Sequence, residues 1–453
     1  MATPERGMFG SRIGFILAAA GSAVGLGNIW GFPTQVGQGG GAVFVLVYLF
    51  CVLFVCAPIF LSELLLGRGA SKGPVGAFKA FAPDSSWWLV GALGVMCGVG
   101  ILSFYAVIAG WTLAYIYFTA LGSLGNTGPE ISASFQEFTA NGTVTVGLTF
   151  VFLLVTASCI LGGVRAGIER VTKTLMPLLI TLLLILAVRA VTLPGASEGL
   201  SYYLKPDFSR IFEVSVLTAA LGQAFFSLSL GMGALITYGS YMSRQDNIGV
   251  SALWVILLDT CMALLAGFII FPTGFSIVGF DPSASGPGLI FMVLPQLFAT
   301  LPGGALFGAA FFVLLAMAAL TSTISLLEVP VSHCIDEYKW DRKKAVVLLT
   351  LGTFLLSIPS ALSNGAVDAL ASLPAALGGD FMTLMGIVWN NYALPIGGFF
   401  ISIFVIYRLG FQKASAEIHA DGASFPFTGL WWFLIRFVSP LAILFIIFSP
   451  FFL

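Results

Sequence analysis

The chain is expected to be an all-α integral membrane protein, and three observations carry that expectation. Of its 453 residues, 58% are hydrophobic and only 9% charged, with a mean hydropathy of +1.02. A soluble domain carries about 25% charged residues, and this chain has too few to cover the surface of a globule of its size. The apolar residues gather into eleven runs, each near the ~20 residues a helix needs to cross a bilayer. No run alternates apolar and polar residues with the period of a membrane β-barrel. A soluble enzyme, a secreted disulfide scaffold and a disordered regulator are excluded. The net charge of −1 without a dense basic run excludes nucleic-acid binding.

The runs, numbered here as spans 1 to 11, fall at 13–38, 42–67, 87–122, 144–162, 174–193, 214–243, 250–279, 303–330, 345–363, 383–407 and 430–453. The N-terminal segment MATPERGMFGSR leads straight into span 1, so no cleavable signal peptide is expected. Between spans 3 and 4, residues 124–142 read as a polar loop with the sequon Asn141-Gly142-Thr143. Residues 281–302, with Pro282, Pro287, Pro295 and Pro302, read as a second long loop. Cys51, Cys56, Cys97, Cys159, Cys261 and Cys334 all lie in or beside apolar runs and are expected as free thiols. The two histidines, His333 and His419, form no metal-ligand cluster with them.

Lys and Arg set the direction. With the N-terminus in the cytoplasm, sixteen of the nineteen fall on the cytoplasmic side, leaving Arg189, Lys205 and Arg210 outside. Eleven spans then put Leu453 outside the cell. Glu63, Glu328, Arg436 and Arg189 lie near span ends and read as snorkelling or locally paired. Asp259 is different. It sits about nine residues into span 7, roughly 14 Å at the helical rise, and a carboxylate near the midplane is a functional residue by default.

Two spans are poorly suited to continuous helix. Span 1 carries Gly21, Gly25, Gly27, Gly31 and Pro33, and span 6 carries Ser227-Leu228-Ser229-Leu230-Gly231-Met232-Gly233. Either cluster alone reads equally as close helix packing through small residues. Their spacing favours breaks. Spans 1 and 6 are five apart, and a five-span block repeated once must insert upside down, because five is odd. Repeat one would cover about 10–193, repeat two about 211–408, and an additional helix about 428–451. Broken helices at corresponding positions of two inverted halves mark a transporter site. Free N–H groups at Leu26 and Gly27 suit a carboxylate. Carbonyls near Gly21, Ala23 and Val24, the Asn28 amide oxygen, the hydroxyls of Ser227, Thr321 and Ser322 and the Asp259 carboxylate suit a hard cation.

At these residues the chain resembles the neurotransmitter:sodium symporter family, especially its bacterial amino-acid transporters of LeuT-type fold. The resemblance rests on Arg6, Arg12-Ile13-Gly14, the run Ala23 to Pro33, Gly39-Gly40-Gly41, Glu63 with Gly67-Arg68, Tyr105 with Trp111-Thr112-Leu113, Gly222-Gln223 to Gly233, Thr237-Tyr238 to Tyr241, and Leu320-Thr321-Ser322. It implies a fold of two inverted five-helix repeats plus one helix, and symport by alternating access. It implies two sodium ions, the first held by Ala23, Asn28, Ser227 and Asp259, the second by Gly21, Val24, Ala318, Thr321 and Ser322. The substrate would meet Ala23, Leu26, Gly27, Ile101, Tyr105, Phe226, Ser227, Ser229, Met232, Ser322 and Leu326. A cytoplasmic gate would pair Arg6 with Asp336 near Tyr241, and Gly167 and Pro177 would enclose a segment of span 5 that unwinds.

The expected substrate is a neutral, hydrophobic amino acid, since the pocket is apolar with Met232 at its side. Gly25 stands where amine-carrying members have an aspartate, and a zwitterion brings its own carboxylate. Asp259 stands where many members have asparagine, and Ala263 where chloride-dependent members have serine; chloride independence follows. Gly31 and Gly386 stand where the family has an outer arginine–aspartate pair, with Asp380 as a displaced substitute for the acid. No enzyme chemistry, protein partner or nucleic acid is expected; the partners are the substrate and the bilayer. An amine or osmolyte carrier and a non-transporting amino-acid sensor are the alternatives.

Overall fold

The computed structural model describes residues 7–125, 127–276, 280–282, 289–300 and 303–449. Among the described residues every regular element is helical. Nine helices are long and apolar enough to cross a membrane: Ala42–Ala70, Trp88–Leu121, Gly142–Leu161, Val164–Val191, Ile248–Gly274, Gly304–Tyr338, Arg342–Leu362, Phe381–Ile418 and Thr428–Phe448. Span 1 forms two pieces, Arg12–Ala23 and Gly27–Gln38, bent by 50°. Span 6 also forms two, Val214–Ser227 and Ala234–Gly239. Each of the eleven apolar runs therefore has its helix or broken pair.

The burial pattern shows what surrounds what. Spans 3 and 8 are the most enclosed long helices, 72% and 78% buried over their apolar windows, against 39% for spans 4, 9 and 11. Spans 3 and 8 thus form the middle, and the outer helices turn Leu154, Val188, Leu355 and Leu441 outward, a surface that suits lipid and not water. Close packing uses small residues where backbones meet. A Cβ on Gly67 would lie 1.9 Å from the Ile236 carbonyl oxygen, and one on Gly110 would lie 2.9 Å from Thr149 N.

Three helices run past their hydropathy limits. Span 5 starts at Val164 rather than 174, span 8 continues to Tyr338, and span 10 to Ile418. The added turns carry Arg165, Glu169, Asp336 and Lys413, so hydrophobicity could not reveal them. The loop expected at 124–142 contains the helix Gly128–Ala140, started by a capping box between Thr127 and Glu130. Within 281–302 the helix Leu294–Thr300 forms; Pro287 and Pro302 lie outside the described residues. All six cysteines are free.

Candidate functional site

The two breaks lie side by side in the buried middle. In span 1 the helix ends at Val24, whose backbone is extended at φ −72°, ψ 99°. In span 6, Ser229, Gly231 and Gly233 take φ of +55°, +78° and +75°, a left-handed zigzag that helix cannot contain. Gly231 is required for a second reason: a Cβ there would lie 2.3 Å from the Leu394 carbonyl oxygen. Its freed N–H donates to Glu63 Oε1 at 2.7 Å, so a buried carboxylate from span 2 supports the break.

Between the breaks and span 7 lies a polar knot. Asn28 Nδ2 donates to Asp259 Oδ1 at 2.7 Å and lies 3.1 Å from both Ser227 Oγ and the Asp259 carbonyl oxygen. Ser227 Oγ donates to Asp259 Oδ2 at 2.8 Å. Asn28 Oδ1 accepts from the Gly25 N–H at 3.1 Å and keeps a second lone pair. Asn28 and Asp259 are fully buried. Asp259 thus brings a carboxylate to oxygen donors of two broken spans, a chemistry that fits a small hard cation.

A second oxygen cluster lies on the other side of span 1. Thr321 Oγ1 is 2.9 Å from the Ala318 carbonyl oxygen and 3.5 Å from that of Val24. A Cβ on Gly21 would lie 3.2 Å from Thr321 Cβ. Ser322 Oγ donates to the Ser22 carbonyl at 3.3 Å. All five residues expected around the second cation therefore meet across the contact of span 1 with span 8. Among the described residues no group of three or more His, Cys, Asp and Glu could hold a metal; the first cluster has the single carboxylate of Asp259, and the second offers only neutral oxygens.

A small cavity lies between the two clusters and span 3. Ala23, Gly27, Ile101, Tyr105, Phe226, Ser229, Met232, Ser322 and Leu326 line it, together with Ser22 and Gly25. Leu26 takes part through its N–H, which donates to the Tyr105 hydroxyl at 2.8 Å. Ser227 belongs to the Asp259 knot instead of the cavity wall. The Phe226 ring lies over Gly27, 2.9 Å from where a Cβ would stand. A second cavity, walled by Arg189, Phe307 and Phe311, takes in none of the expected site residues.

The outlying expectations fare differently. Arg6 lies outside the described residues. Asp336 Oδ2 accepts from the Gly73 N–H at 2.7 Å, the Tyr241 hydroxyl donates to Glu328 Oε1 at 2.7 Å, and Arg342 Nη2 pairs with Glu328 Oε2 at 2.6 Å. Asp380 does not replace the missing outer acid. Its carboxylate caps the helix Phe381–Gly386, accepting from Thr383 N at 2.9 Å and Thr383 Oγ1 at 2.6 Å. Gln223, whose role the sequence does not announce, donates through Nε2 to the Gly27 carbonyl at 2.8 Å, and its Oε1 lies 3.2 Å from where a Gly31 Cβ would stand. Gly167 and Pro177 both lie in wound helix, with a wide π-type turn over Val164–Glu169.

Comparison with known proteins agrees with this geometry. The family model described as the sodium:neurotransmitter symporter family matches residues 6–127 and 128–452. An uncharacterized sodium-dependent transporter of Bacillus subtilis, YhdH, is 39% identical over 96% of this chain and 95% of its own. The sodium-dependent serotonin transporter of Drosophila melanogaster is 29% identical over 97% of this chain and 75% of its own. The crystal structure of MhsT in complex with L-phenylalanine superposes with a TM-score of 0.90 at 43% identity, covering 98% of this chain and 99% of that one. With two broken spans around a buried cavity and matches along nearly its whole length, the chain is a LeuT-fold, sodium-dependent transporter and no enzyme, and it belongs to the sodium:neurotransmitter symporter family.

Proposed function

We propose that the chain is a sodium-coupled symporter of neutral, hydrophobic amino acids, working by alternating access between two inverted repeats. One observation carries this reading: the cavity between the breaks is apolar toward Ile101, Phe226, Met232 and Leu326, and polar toward Ser22, Gly25 and Tyr105. A zwitterion fits that division. Its carboxylate would take the Leu26 and Gly27 N–H groups and the Tyr105 hydroxyl, and its side chain the apolar wall. The phenylalanine bound to the similar MhsT supports the same class.

In this reading two sodium ions bind, the first at Ala23, Asn28, Ser227 and Asp259, the second at Gly21, Val24, Ala318, Thr321 and Ser322. Coupling follows from charge: the first ion and the substrate carboxylate each reduce the cost of burying the other. Asp259 supplies a fixed negative charge, so no chloride is needed. The N-terminus is cytoplasmic and the C-terminus outside the cell. Release toward the cytoplasm requires Arg6 to part from Asp336 near Tyr241 and the segment between Gly167 and Pro177 to unwind. An amine carrier is disfavoured, because no acid stands at Gly25.

The test is a thermal-shift screen of the purified protein against the twenty amino acids, in sodium and in potassium. Bulky apolar amino acids should stabilise it in sodium alone. Stabilisation by amines or osmolytes in their place, or equal stabilisation in potassium, refutes the reading.

A further inference from the structure

We infer that Glu169 is a positioning residue for transport: it latches the starting end of span 1 to span 5, and the latch must open for the site to empty toward that end. The inference rests on the transport reading above and adds to it a residue with no role in that reading. Glu169 is 3% exposed. Its Oε2 accepts from the Gly10 N–H at 2.6 Å, and its Oε1 from Ser11 Oγ at 3.0 Å and Lys173 Nζ at 2.5 Å. Lys173 Nζ also donates to Ser11 Oγ at 2.9 Å. Ser11 in turn caps the half-helix Arg12–Ala23 by accepting from the Gly14 N–H at 3.1 Å. One carboxylate thus holds the cap that starts the half-helix.

The surrounding backbone is shaped for it. A Cβ on Gly14 would lie 2.0 Å from Glu169 Oε1, and one on Gly10 would lie 2.8 Å from Arg165 Nε and 3.3 Å from Glu169 Oε2. Glycine at both positions lets span 1 settle onto the carboxylate. Lys173, also from span 5, pairs with it at 2.5 Å, and Arg165 stands beside Gly10.

Leverage makes the latch matter. Arg12–Ala23 is 12 residues long and is cut from its other half at Val24, so it can turn as one rod of about 17 Å. Span 5 touches the rod at both ends: Glu169 at Ser11, and Met176, whose Sδ is 3.3 Å from a Gly21 Cβ. Gly21 and Val24 belong to the second oxygen cluster. An ion there and the latch at Ser11 therefore act on the same rigid piece. The Phe9 N–H, donating to the Tyr241 carbonyl at 3.1 Å, and Arg12 Nε, donating to Ser251 Oγ at 3.2 Å, tie the same end to span 6 and span 7; Glu169 ties it to the helix that carries Gly167 and Pro177.

Hydrogen–deuterium exchange on the full chain in nanodiscs, in sodium and in potassium, tests this. Glu169→Gln removes the charge but keeps the shape. It should speed exchange at residues 10–20 and 164–173 at least tenfold in sodium, and leave Ala42–Ala70 unchanged. Gly14→Ala, which leaves Glu169 in place but drives its carboxylate away, should do the same. Adding Gly14→Ala to Glu169→Ala should add nothing, because the clash partner is gone. Unchanged exchange at 10–20 in both single variants overturns the inference, and so does an equal rise in Ala42–Ala70, which is a general loss of stability. Amino-acid stabilisation of the unmodified protein in sodium, measured alongside, reports on the transport reading separately.

Discussion

Replacing Gly25 by alanine tests the cavity at its tightest point. The new Cβ would stand 2.3 Å from Ser322 Oγ and 2.6 Å from the Tyr105 hydroxyl, where ordinary contact begins at 3.4 Å. The Ser322 hydroxyl can rotate away at little cost. Tyr105 cannot, since its ring is buried at 4% exposure against span 8, so the ring must tilt by about 0.8 Å. A shift of that size is enough to break the 2.8 Å hydrogen bond from Leu26 N, since such bonds lie within about 3.2 Å. The variant therefore loses the hydroxyl as a fixed partner and fills space that a substrate carboxylate needs. Losing a buried hydrogen bond costs about 1–3 kcal/mol, so sodium-dependent affinity should fall by about tenfold to a hundredfold. Equilibrium binding of labelled phenylalanine or leucine in sodium measures it. Tyr105→Phe should lose a similar amount, and the double variant less than the two losses together, because the ring no longer presents an oxygen to the Cβ. Unaltered affinity in Gly25→Ala would refute the placement of the carboxylate between Gly25 and Tyr105.

Other perturbations separate the parts of the account. Asp259→Ala and Asn28→Ala each dismantle the knot of 2.7–3.1 Å contacts and should abolish sodium-dependent binding; normal affinity with sodium independence would count against the first cation site. Uptake into proteoliposomes should not change when gluconate replaces chloride, and a strong chloride requirement would show that Asp259 does not supply the needed charge. Pro177→Ala should slow substrate release, since proline lowers the cost of opening its helix; unchanged efflux would leave Pro177 a plain kink. Arg68→Ala leaves Glu417 and the Asp246 carbonyl without the guanidinium that pairs with both at 2.7 Å. It should cost about 3 kcal/mol of stability, read as a lower unfolding midpoint, with sodium-dependent affinity preserved.

Legibility of the fold tracked the chemistry of its surroundings. Lipid-facing helix is legible because the bilayer demands apolar length, and all eleven runs found their helices. Helix in water is not so marked: the turns carrying Arg165 and Glu169 in span 5, or Lys413 after span 10, look like loop by hydropathy alone. The helix Gly128–Ala140 was missed for the same reason, although the Thr127–Glu130 capping box was there to be read. The breaks were legible because glycine and serine at mid-span deprive a helix of both propensity and side-chain packing. Ser229 shows the limit of that signal, since its φ of +55° is an uncommon state for a residue with a Cβ.

The site shows a sharper division, between residues that offer an unusual chemical group and residues that work by placement. Asp259 and Asn28 are costly in a membrane core, so their presence alone argues for a ligand. Glu63, Gln223 and Glu169 were in plain view, but each acts on a partner far along the chain. Glu63 meets Gly231, Gln223 meets the Gly27 carbonyl, and Glu169 meets Gly10 across 159 positions. No spacing rule within one helix can express such contacts. The outer side makes the same point in reverse. The glycines at 31 and 386 make Asp380 the expected substitute for a lost charge, yet that carboxylate caps its own helix. In its place, next to the substituted Gly31, stands a neutral amide whose two ends meet span 1: Gln223 Nε2 on the Gly27 carbonyl and Oε1 against Gly31. That tie joins spans 1 and 6, whereas the pair lost at Gly31 and Gly386 would join spans 1 and 10, so the amide holds span 1 in place without taking over the link to span 10.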